Sequence, residues 1–249
     1  MVDLRSKSRW DGSPTPRRNV NVNGAILDAK ALAATVDAEL RTLPAQNTPN
    51  ARSVRRKYSQ MLKKAAPESV LAVARELFKN LRHRWVAYEM IAAHKAAFQS
   101  LGEADIEEFG LGINSWWTVD SFARILSGPA WLHGQVCDEL IHKWARSDDL
   151  WWRRAALVST VAWNVRSQGG PGDVPRTLAV CRVLAADHED LVVKALSWAL
   201  RELVVHDSSA VRGFLEEHEQ VLAARVKYEV GNKLRTGLKN PGREVREKT

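Results

Sequence analysis

The sequence predicts an all-α fold, and more narrowly an α-solenoid superhelix of antiparallel helix pairs. From residue 25 onward, apolar residues recur with a period of about 3.6 residues in one segment after another. The breaks between these segments are short and polar, which is typical of antiparallel neighbouring helices. Hairpin signals are few: an Asn-Gly pair beside apolar residues occurs in VNVNGA (20–25), which leads into a predicted helix.

The predicted helices follow in order along the chain. AILDAKALAATVDAELRTL (25–43) is rich in Ala and Leu, and PESVLAVARELFKNL (67–81) begins at a proline, which suits a first helical turn. Between them, ARSVRRKYSQMLKK (51–64) is a predicted basic helix with six basic residues and no acidic one. The later helices are expected at 82–98, 115–126, 129–147, 149–165, 173–186, 189–205, 209–220 and 221–238.

Two of these helices resemble each other. DLWWRRAAL begins at Asp149 and DLVVKALSW at Asp190, an offset of 41 residues that lies in the range of HEAT-type helix pairs. Stacked pairs of this kind form a solenoid, whose concave inner face can carry polar side chains without burying them. The sequence therefore predicts a single HEAT-like domain at 25–240, a disordered basic tail at 1–24 and a basic tail at 241–249.

The positive charge of the chain is concentrated at its ends. The formal net charge is +8, of which residues 1–24 supply +3 and residues 224–249 supply +5, while the body between them has 24 basic and 24 acidic residues. Basic ends and a basic helix favour a polyanionic partner, most simply nucleic acid. Charged ends that only keep the protein soluble explain the tails equally well.

Several classes of protein are not indicated. No run of 18 apolar residues suggests a membrane span, and the first residues lack the apolar core of a secretory signal. Cys137 and Cys181 form no CxxC pair, and the seven histidines show neither HExxH nor zinc-ligand spacing. We therefore expect a cytoplasmic, monomeric protein with no metal site, no cofactor and no membrane partner.

Aromatic and basic residues share helix faces late in the sequence. Lys194, Trp198 and Arg201 are spaced i, i+4, i+7, and charged residues are rarely fully buried, so this face predicts a groove rather than a core. Arg153 and Arg154 directly follow two tryptophans. Arginine is typical of phosphate-binding surfaces because its planar fork matches two oxygens. Alternatively, the indole rings wedge between helices and the arginine stems lie over them.

The segment SWWTVDS (115–121) combines an indole and a carboxylate on one face. Trp116 and Asp120 are four residues apart, so they lie together on a helix. An aromatic face and a carboxylate both stabilise positive charge, and a reaction that builds cationic character on a sugar benefits from both.

Three motifs carry a resemblance to a known family. SWWTVDS (115–121), WARSDDLWWRRAAL (144–157) and VVKALSWALRE (192–202) occur in this order. Together they resemble the DNA alkylation repair family of HEAT-like-repeat DNA glycosylases, the AlkD-like group, over about residues 50 to 240. The doubled tryptophan departs from the family pattern, and either Trp116 or Trp117 could face the groove; the spacing to Asp120 favours Trp116.

The resemblance implies a fold, an activity and a set of site residues. The expected fold is a superhelix whose basic concave face holds duplex DNA. The expected activity is hydrolysis of the N-glycosidic bond of cationic alkylated purines, such as 3-methyladenine and 7-methylguanine or bulkier adducts. The resemblance makes Trp116, Asp120 and Trp198 the residues that face the damaged nucleotide, and Arg154 and Arg201 contacts to phosphate. Lys194 and Arg153 share these helices and complete the expected DNA-binding set.

In the implied mechanism, Asp120 stabilises the developing sugar cation and orients water, while Trp116 and Trp198 pack against the deoxyribose. A charged base leaves easily, so no deep base pocket is required. Two alternatives stay open on the sequence alone. One is a non-catalytic protein that binds branched or damaged DNA, and the other is a protein-interaction scaffold.

Overall fold

A computed structural model describes residues 20–22, 25–79, 83–166 and 169–241, with side chains from residue 28 onward. Helices make up most of the described chain, so the predicted all-α class is confirmed. Within the described residues, none of the helices combines the length and apolar character that crossing a membrane requires.

A short hairpin precedes the first helix. Strands β1 (Val20–Val22) and β2 (Ala25–Leu27) pair antiparallel, with Val20 opposite Leu27. VNVNGA is therefore a true hairpin signal, as Asn-Gly pairs favour, and the helix predicted from residue 25 begins only at Ala29. Apart from β1 and residue 241, the two predicted tails lie outside the described residues.

The helices, with one π-helical segment (Ala123–Ser127), are α1 (Ala29–Arg41), α2 (Thr48–Met61), α3 (Pro67–Phe78), α4 (Arg84–Ala93), α5 (Lys95–Gln99), α6 (Glu103–Gly110), α7 (Trp116–Phe122), α8 (Gly128–Leu132), α9 (Asp138–Ala145), α10 (Leu150–Ser159), α11 (Val161–Asn164), α12 (Val174–Val183), α13 (Asp190–Leu203), α14 (Ser208–Glu217) and α15 (Ala224–Thr236).

Capping side chains explain where many of these helices begin. The side chains of Asp28, Asn47, Asp149, Asp173 and Asp207 each accept a hydrogen bond from a backbone N–H in the first turn of the following helix. Asp173 and Asp207 lie in or beside the short polar breaks of the sequence, so cap and break agree on where α12 and α14 begin.

Several predicted helices are each divided in two. The predicted helix 82–98 breaks at His94, whose ring Nδ1 accepts a hydrogen bond from Ala97 N at 3.0 Å and caps α5. The predicted helix 129–147 breaks after α8, where Gly134 has a φ of 73° that a helix cannot contain. Apolar residues continue at helical spacing through both breaks, so the hydrophobic pattern alone does not predict where these helices end.

The helices pack in a regular order, in which every third helix from α4 to α13 contacts the next one in the series. Helix α4 packs on α7, α7 on α10, α10 on α13 and α13 on α15, while α3, α9 and α12 pack on α4, α10 and α13 respectively. The core between them is apolar and includes Trp152, whose ring lies 4.8 Å from that of Trp144 and 6.1 Å from that of Phe122. Trp151 and Trp152 are both partly buried and pack against this core.

The π-helical segment after α7 lies very close to the end of α10. The Ser127 and Ser159 hydroxyls are buried and hydrogen-bonded at 2.7 Å. A Cβ atom at Gly128 would lie 2.8 Å from the carbonyl oxygens of both Ala123 and Ser159. Because two backbone oxygens cannot move independently of their helices, only glycine fits here.

Replacing Gly128 with Ala should therefore destabilise the protein by about 1–3 kcal/mol, as overpacking of a tight contact does. The matched control is Gly213→Ala on α14, where a Cβ atom meets nothing within 4 Å. That control should stabilise by roughly 0.5–1 kcal/mol, because alanine favours a helix over glycine. Urea denaturation of the two variants measures the difference, and equal stabilities would show that the contact at Gly128 is not tight.

Candidate functional site

Helix α7 begins with a local cap that sets the two tryptophans in its first turn. Ser115 is the N-cap, and its hydroxyl accepts a hydrogen bond from Thr118 N at 3.3 Å. The Thr118 hydroxyl in turn accepts from Ser115 N at 3.2 Å, which completes a reciprocal cap. The cap leaves the first turn of α7 at the protein surface with its indole side chains largely in solvent.

The two adjacent indole rings have different surroundings. Trp116 is 56% exposed and Trp117 is 42% exposed. The Trp117 ring packs edge-on against Trp85 of α4, with centroids 6.1 Å apart, and lines a cleft of about 350 Å³ between α4 and the start of α2. Trp116 is the ring four residues before Asp120 and the more exposed of the two, which is the arrangement that the spacing favours.

Asp120 is held by a two-point ion pair. Arg154 of α10 donates from Nε to Asp120 Oδ1 and from Nη2 to Oδ2, each at 2.9 Å. The same guanidinium donates from Nη1 to the carbonyl oxygen of Leu191 on α13. Arg154 thus joins three helices, and its planar fork fixes the carboxylate in one orientation.

This geometry does not agree with the predicted role of Arg154 as a phosphate contact. Only 7% of the Arg154 side chain is exposed, against 20% of the Asp120 side chain. The guanidinium points to protein acceptors, whereas the carboxylate reaches the surface. A buried arginine needs partners of opposite charge or hydrogen-bond acceptors, and Arg154 finds these in Asp120 and the Leu191 carbonyl.

Trp198 lies half-buried on α13 and is fixed on two sides. Its indole Nε1 donates to Glu202 Oε1 at 3.0 Å, one turn further along the same helix. On the ring face, the guanidinium carbon of Arg124 lies 5.6 Å from the ring centroid. Arg124 follows Asp120 by four residues, so α7 with its π-helical extension lies next to the Trp198 ring.

Arg201, the second predicted phosphate contact, is also engaged within the protein. Its Nε donates to the Ser197 hydroxyl at 3.2 Å and lies 3.8 Å from Glu229 Oε2 on α15. Burial lowers the pKa of Arg201, and the charge of Glu229 acts in the opposite direction. Burial also acts to raise the pKa of Glu229, but a hydrogen bond from Ser197 and the charge of Lys239 lower it overall.

The other two predicted DNA-binding residues form ion pairs as well. Lys194 lies 2.7 Å from Asp190, one turn earlier on α13, and its side chain remains 43% exposed. The hydrogen bond from Lys194 is the main cause of the lowered pKa of Asp190. Arg153 donates from Nε to Asp187 at 2.7 Å and is mostly buried. Lys194 is therefore accessible to a phosphate, and Arg153 is not.

The basic helix α2 is partly neutralised. Arg52 and Arg55 share Glu89 of α4, at 2.8 and 3.1 Å. Lys57 pairs with Glu39 of α1 at 2.7 Å. The remaining basic residues of this segment, Arg56, Lys63 and Lys64, are exposed. This segment contains no acidic residue of its own, but acidic residues of α1 and α4 pair with three of its six cations. Only part of its positive charge is therefore available to a partner.

The structure brings two of the predicted site residues, Asp120 and Arg154, into direct contact. The helices that carry Asp120 and Trp198 meet through Arg124 and through Leu191. The sequence reasoning missed Arg124. Its signal is the spacing Trp116, Asp120, Arg124, which repeats the four-residue step on one face.

The chemistry available here is electrostatic. A fixed carboxylate lies beside exposed and half-exposed indole rings, so the surface is suited to a group that carries positive charge. Among the described residues, no cluster of three His, Cys, Asp or Glu side chains could hold a metal ion. Asp120 is not among the residues that line the cleft beside Trp117, and 20% of its side chain is exposed.

Comparison with known proteins gives one match. Residues 28–230 match a family model described as DNA alkylation repair enzyme. This match includes all three motifs that carry the resemblance, and it covers more than half of the chain. A comparison with curated protein sequences gives no match.

Proposed function

Since the chain belongs to the DNA alkylation repair enzyme family, we propose that it is a DNA glycosylase for cationic alkylated purines in duplex DNA. The family match supports an enzyme of alkylation repair that interacts with DNA. The finer assignment depends on one observation, the part-exposed Asp120 carboxylate that Arg154 fixes at both oxygens.

The proposed reaction uses a leaving group that is already charged. As the C1′–N bond of an N3- or N7-alkylated purine breaks, its electron pair returns to the base, which departs neutral. Positive charge then develops on the deoxyribose, and the Asp120 carboxylate stabilises it. Water adds to C1′ and loses one proton, so the products are the free alkylated base and an abasic site. The only co-reactant is water, and the step needs no cofactor.

Arg154 is a positioning residue in this mechanism. Each carboxylate oxygen uses one lone pair for the guanidinium and keeps another for water or substrate. The pair also holds the carboxylate in place before the substrate arrives, so little reorganisation is needed as charge develops. In the proposed mechanism, the exposed Trp116 ring and the Trp198 ring beside Arg124 supply the aromatic faces on which a deoxyribose packs.

The proposed DNA surface is the concave face of an α-solenoid. The order in which α4, α7, α10, α13 and α15 pack supports such a stack, with these helices forming one row. Trp116, Asp120 and Trp198 lie on α7 and α13 of that row. The accessible Lys194 lies on α13 and Lys239 just after α15, toward one end of this row, where they can contact the DNA backbone.

A lesion panel tests the proposal. Duplexes that contain 3-methyladenine, 7-methylguanine or a bulkier N3 or N7 adduct are incubated with the protein, and the released bases are identified by mass spectrometry. We expect release of at least one cationic base and none of unmodified purines. Tight, salt-dependent binding without any release would instead identify a non-catalytic DNA-binding protein. Absence of both base release and DNA binding would favour the protein-interaction scaffold.

A further inference from the structure

We propose that Arg124 is the residue of this site that contacts the DNA phosphate beside the damaged nucleotide. The inference rests on the proposed function and changes which residues supply the phosphate contacts. The resemblance assigns these contacts to Arg154 and Arg201, and the geometry points to Arg124.

The first argument is the state of the other cations. Arg154 donates to both oxygens of Asp120, and Arg201 is largely buried beside Glu229. If Arg154 turned to a phosphate, Asp120 would be left unpaired, which is costly for a partly buried group. Only 16% of the Arg201 side chain is exposed, so little of it can reach a phosphate. These two arginines are therefore committed to the protein interior.

The second argument is the exposure of Arg124. Its side chain is exposed, and among the described residues it forms no ion pair with a carboxylate. It lies one step of four residues after Asp120, in the π-helical segment that extends α7. Such segments are frequent at functional sites because they turn side chains away from regular helical positions. The full charge of Arg124 is thus available next to the carboxylate.

The third argument is the stacking of Arg124 on Trp198. The guanidinium carbon lies 5.6 Å from the indole centroid, so the ring face carries the cation without using a carboxylate. Because this contact uses no carboxylate, the N–H groups of Arg124 remain available to an anion, and two parallel N–H groups match two phosphate oxygens. Because Trp198 is itself held by Glu202, the arginine is oriented before DNA binds.

The consequence is a fixed arrangement of opposite charges around the nucleotide. Arg124 would hold the phosphate on the Trp198 side, while Asp120 faces the sugar whose bond breaks. A cation on the backbone positions the sugar without neutralising the catalytic carboxylate, because that carboxylate is already paired with Arg154.

The experiment compares Arg124→Gln with Arg212→Gln, an exposed arginine on α14, which carries none of the site residues. Affinity for an undamaged duplex is measured between 50 and 200 mM salt. Loss of one phosphate contact lowers the slope of log affinity against log salt by about 0.9. Between 50 and 200 mM salt, the affinity of Arg124→Gln should therefore fall by a factor about 3-fold smaller than that of the wild type. Arg212→Gln should keep the wild-type slope.

Arg124→Lys separates the charge from the stacked fork. It should keep the wild-type salt slope but raise KM for base release, because lysine binds phosphate without the two-point geometry. An unchanged slope for Arg124→Gln would overturn the inference. That result is independent of catalysis, since the duplex is undamaged; absence of base release by the wild type would instead overturn the proposed function.

Discussion

Asp120→Asn is expected to abolish release of the alkylated base while affinity for DNA is retained. Asparagine keeps the size of the side chain but removes the negative charge that stabilises the developing sugar cation. Loss of one such preorganised group typically lowers kcat on the order of 10²–10³-fold. Single-turnover base release and duplex affinity, measured on the same protein, test both parts.

A matched control separates lost chemistry from lost stability. Asp120→Asn also weakens the pair with Arg154, so some destabilisation is expected. Asp187→Asn weakens a similar, mostly buried ion pair, that of Asp187 with Arg153. Arg153 lies on α10, directly before Arg154. Asp187→Asn should be destabilised to a similar degree yet release base at close to the wild-type rate. Equal loss of activity in the two variants would show that the effect is structural.

Arg154→Ala is expected to destabilise the fold and to abolish base release together. The substitution leaves the Asp120 carboxylate without its partner and removes the hydrogen bond to Leu191 on α13. Breaking a buried ion pair from one side typically costs about 3–5 kcal/mol. Urea denaturation should detect a loss of this size, and base release should fall because the carboxylate is no longer held.

The salt dependence of DNA binding distinguishes this role of Arg154 from a phosphate contact. If Arg154 only positions Asp120, the slope of affinity against salt should equal that of the wild type under conditions where the variant is folded. A slope lowered by about 0.9, with stability unchanged, would instead support the phosphate contact that the resemblance implies for Arg154.

The fold was largely predictable because it depends on local patterns. The helical period, the polar breaks and the capping residues are all local features of the sequence. Together they locate most of the helices. The exceptions have local causes that the period does not register. Gly134 turns the chain with a positive φ, and the π-helical segment at Ala123–Ser127 continues the apolar pattern of α7 without its geometry.

The sequence identifies candidate site residues but not the contacts that they make. The four-residue spacing places Trp116 and Asp120 on one face, and the structure agrees with that placement. The partner of Asp120 is Arg154, 34 residues away, and no spacing rule identifies such a pair. Arg154 therefore looked like a surface cation when it is an internal one.

Charge counting had the same weakness. The body of the chain has equal numbers of basic and acidic residues, but the sequence does not say which of them pair. Glu229 shows the difficulty: it is buried near Arg225, one turn earlier on α15, near Lys239 just after that helix, and near Arg201 on α13. Only the tertiary arrangement separates the cations that are free from those that are paired.

The most direct test is single-turnover release of 7-methylguanine from a duplex that carries one such base, measured for the wild type, Asp120→Asn and Asp187→Asn. A catalytic carboxylate at this surface predicts release by the wild type and by Asp187→Asn, and none above background by Asp120→Asn. Release by Asp120→Asn at the wild-type rate would contradict it.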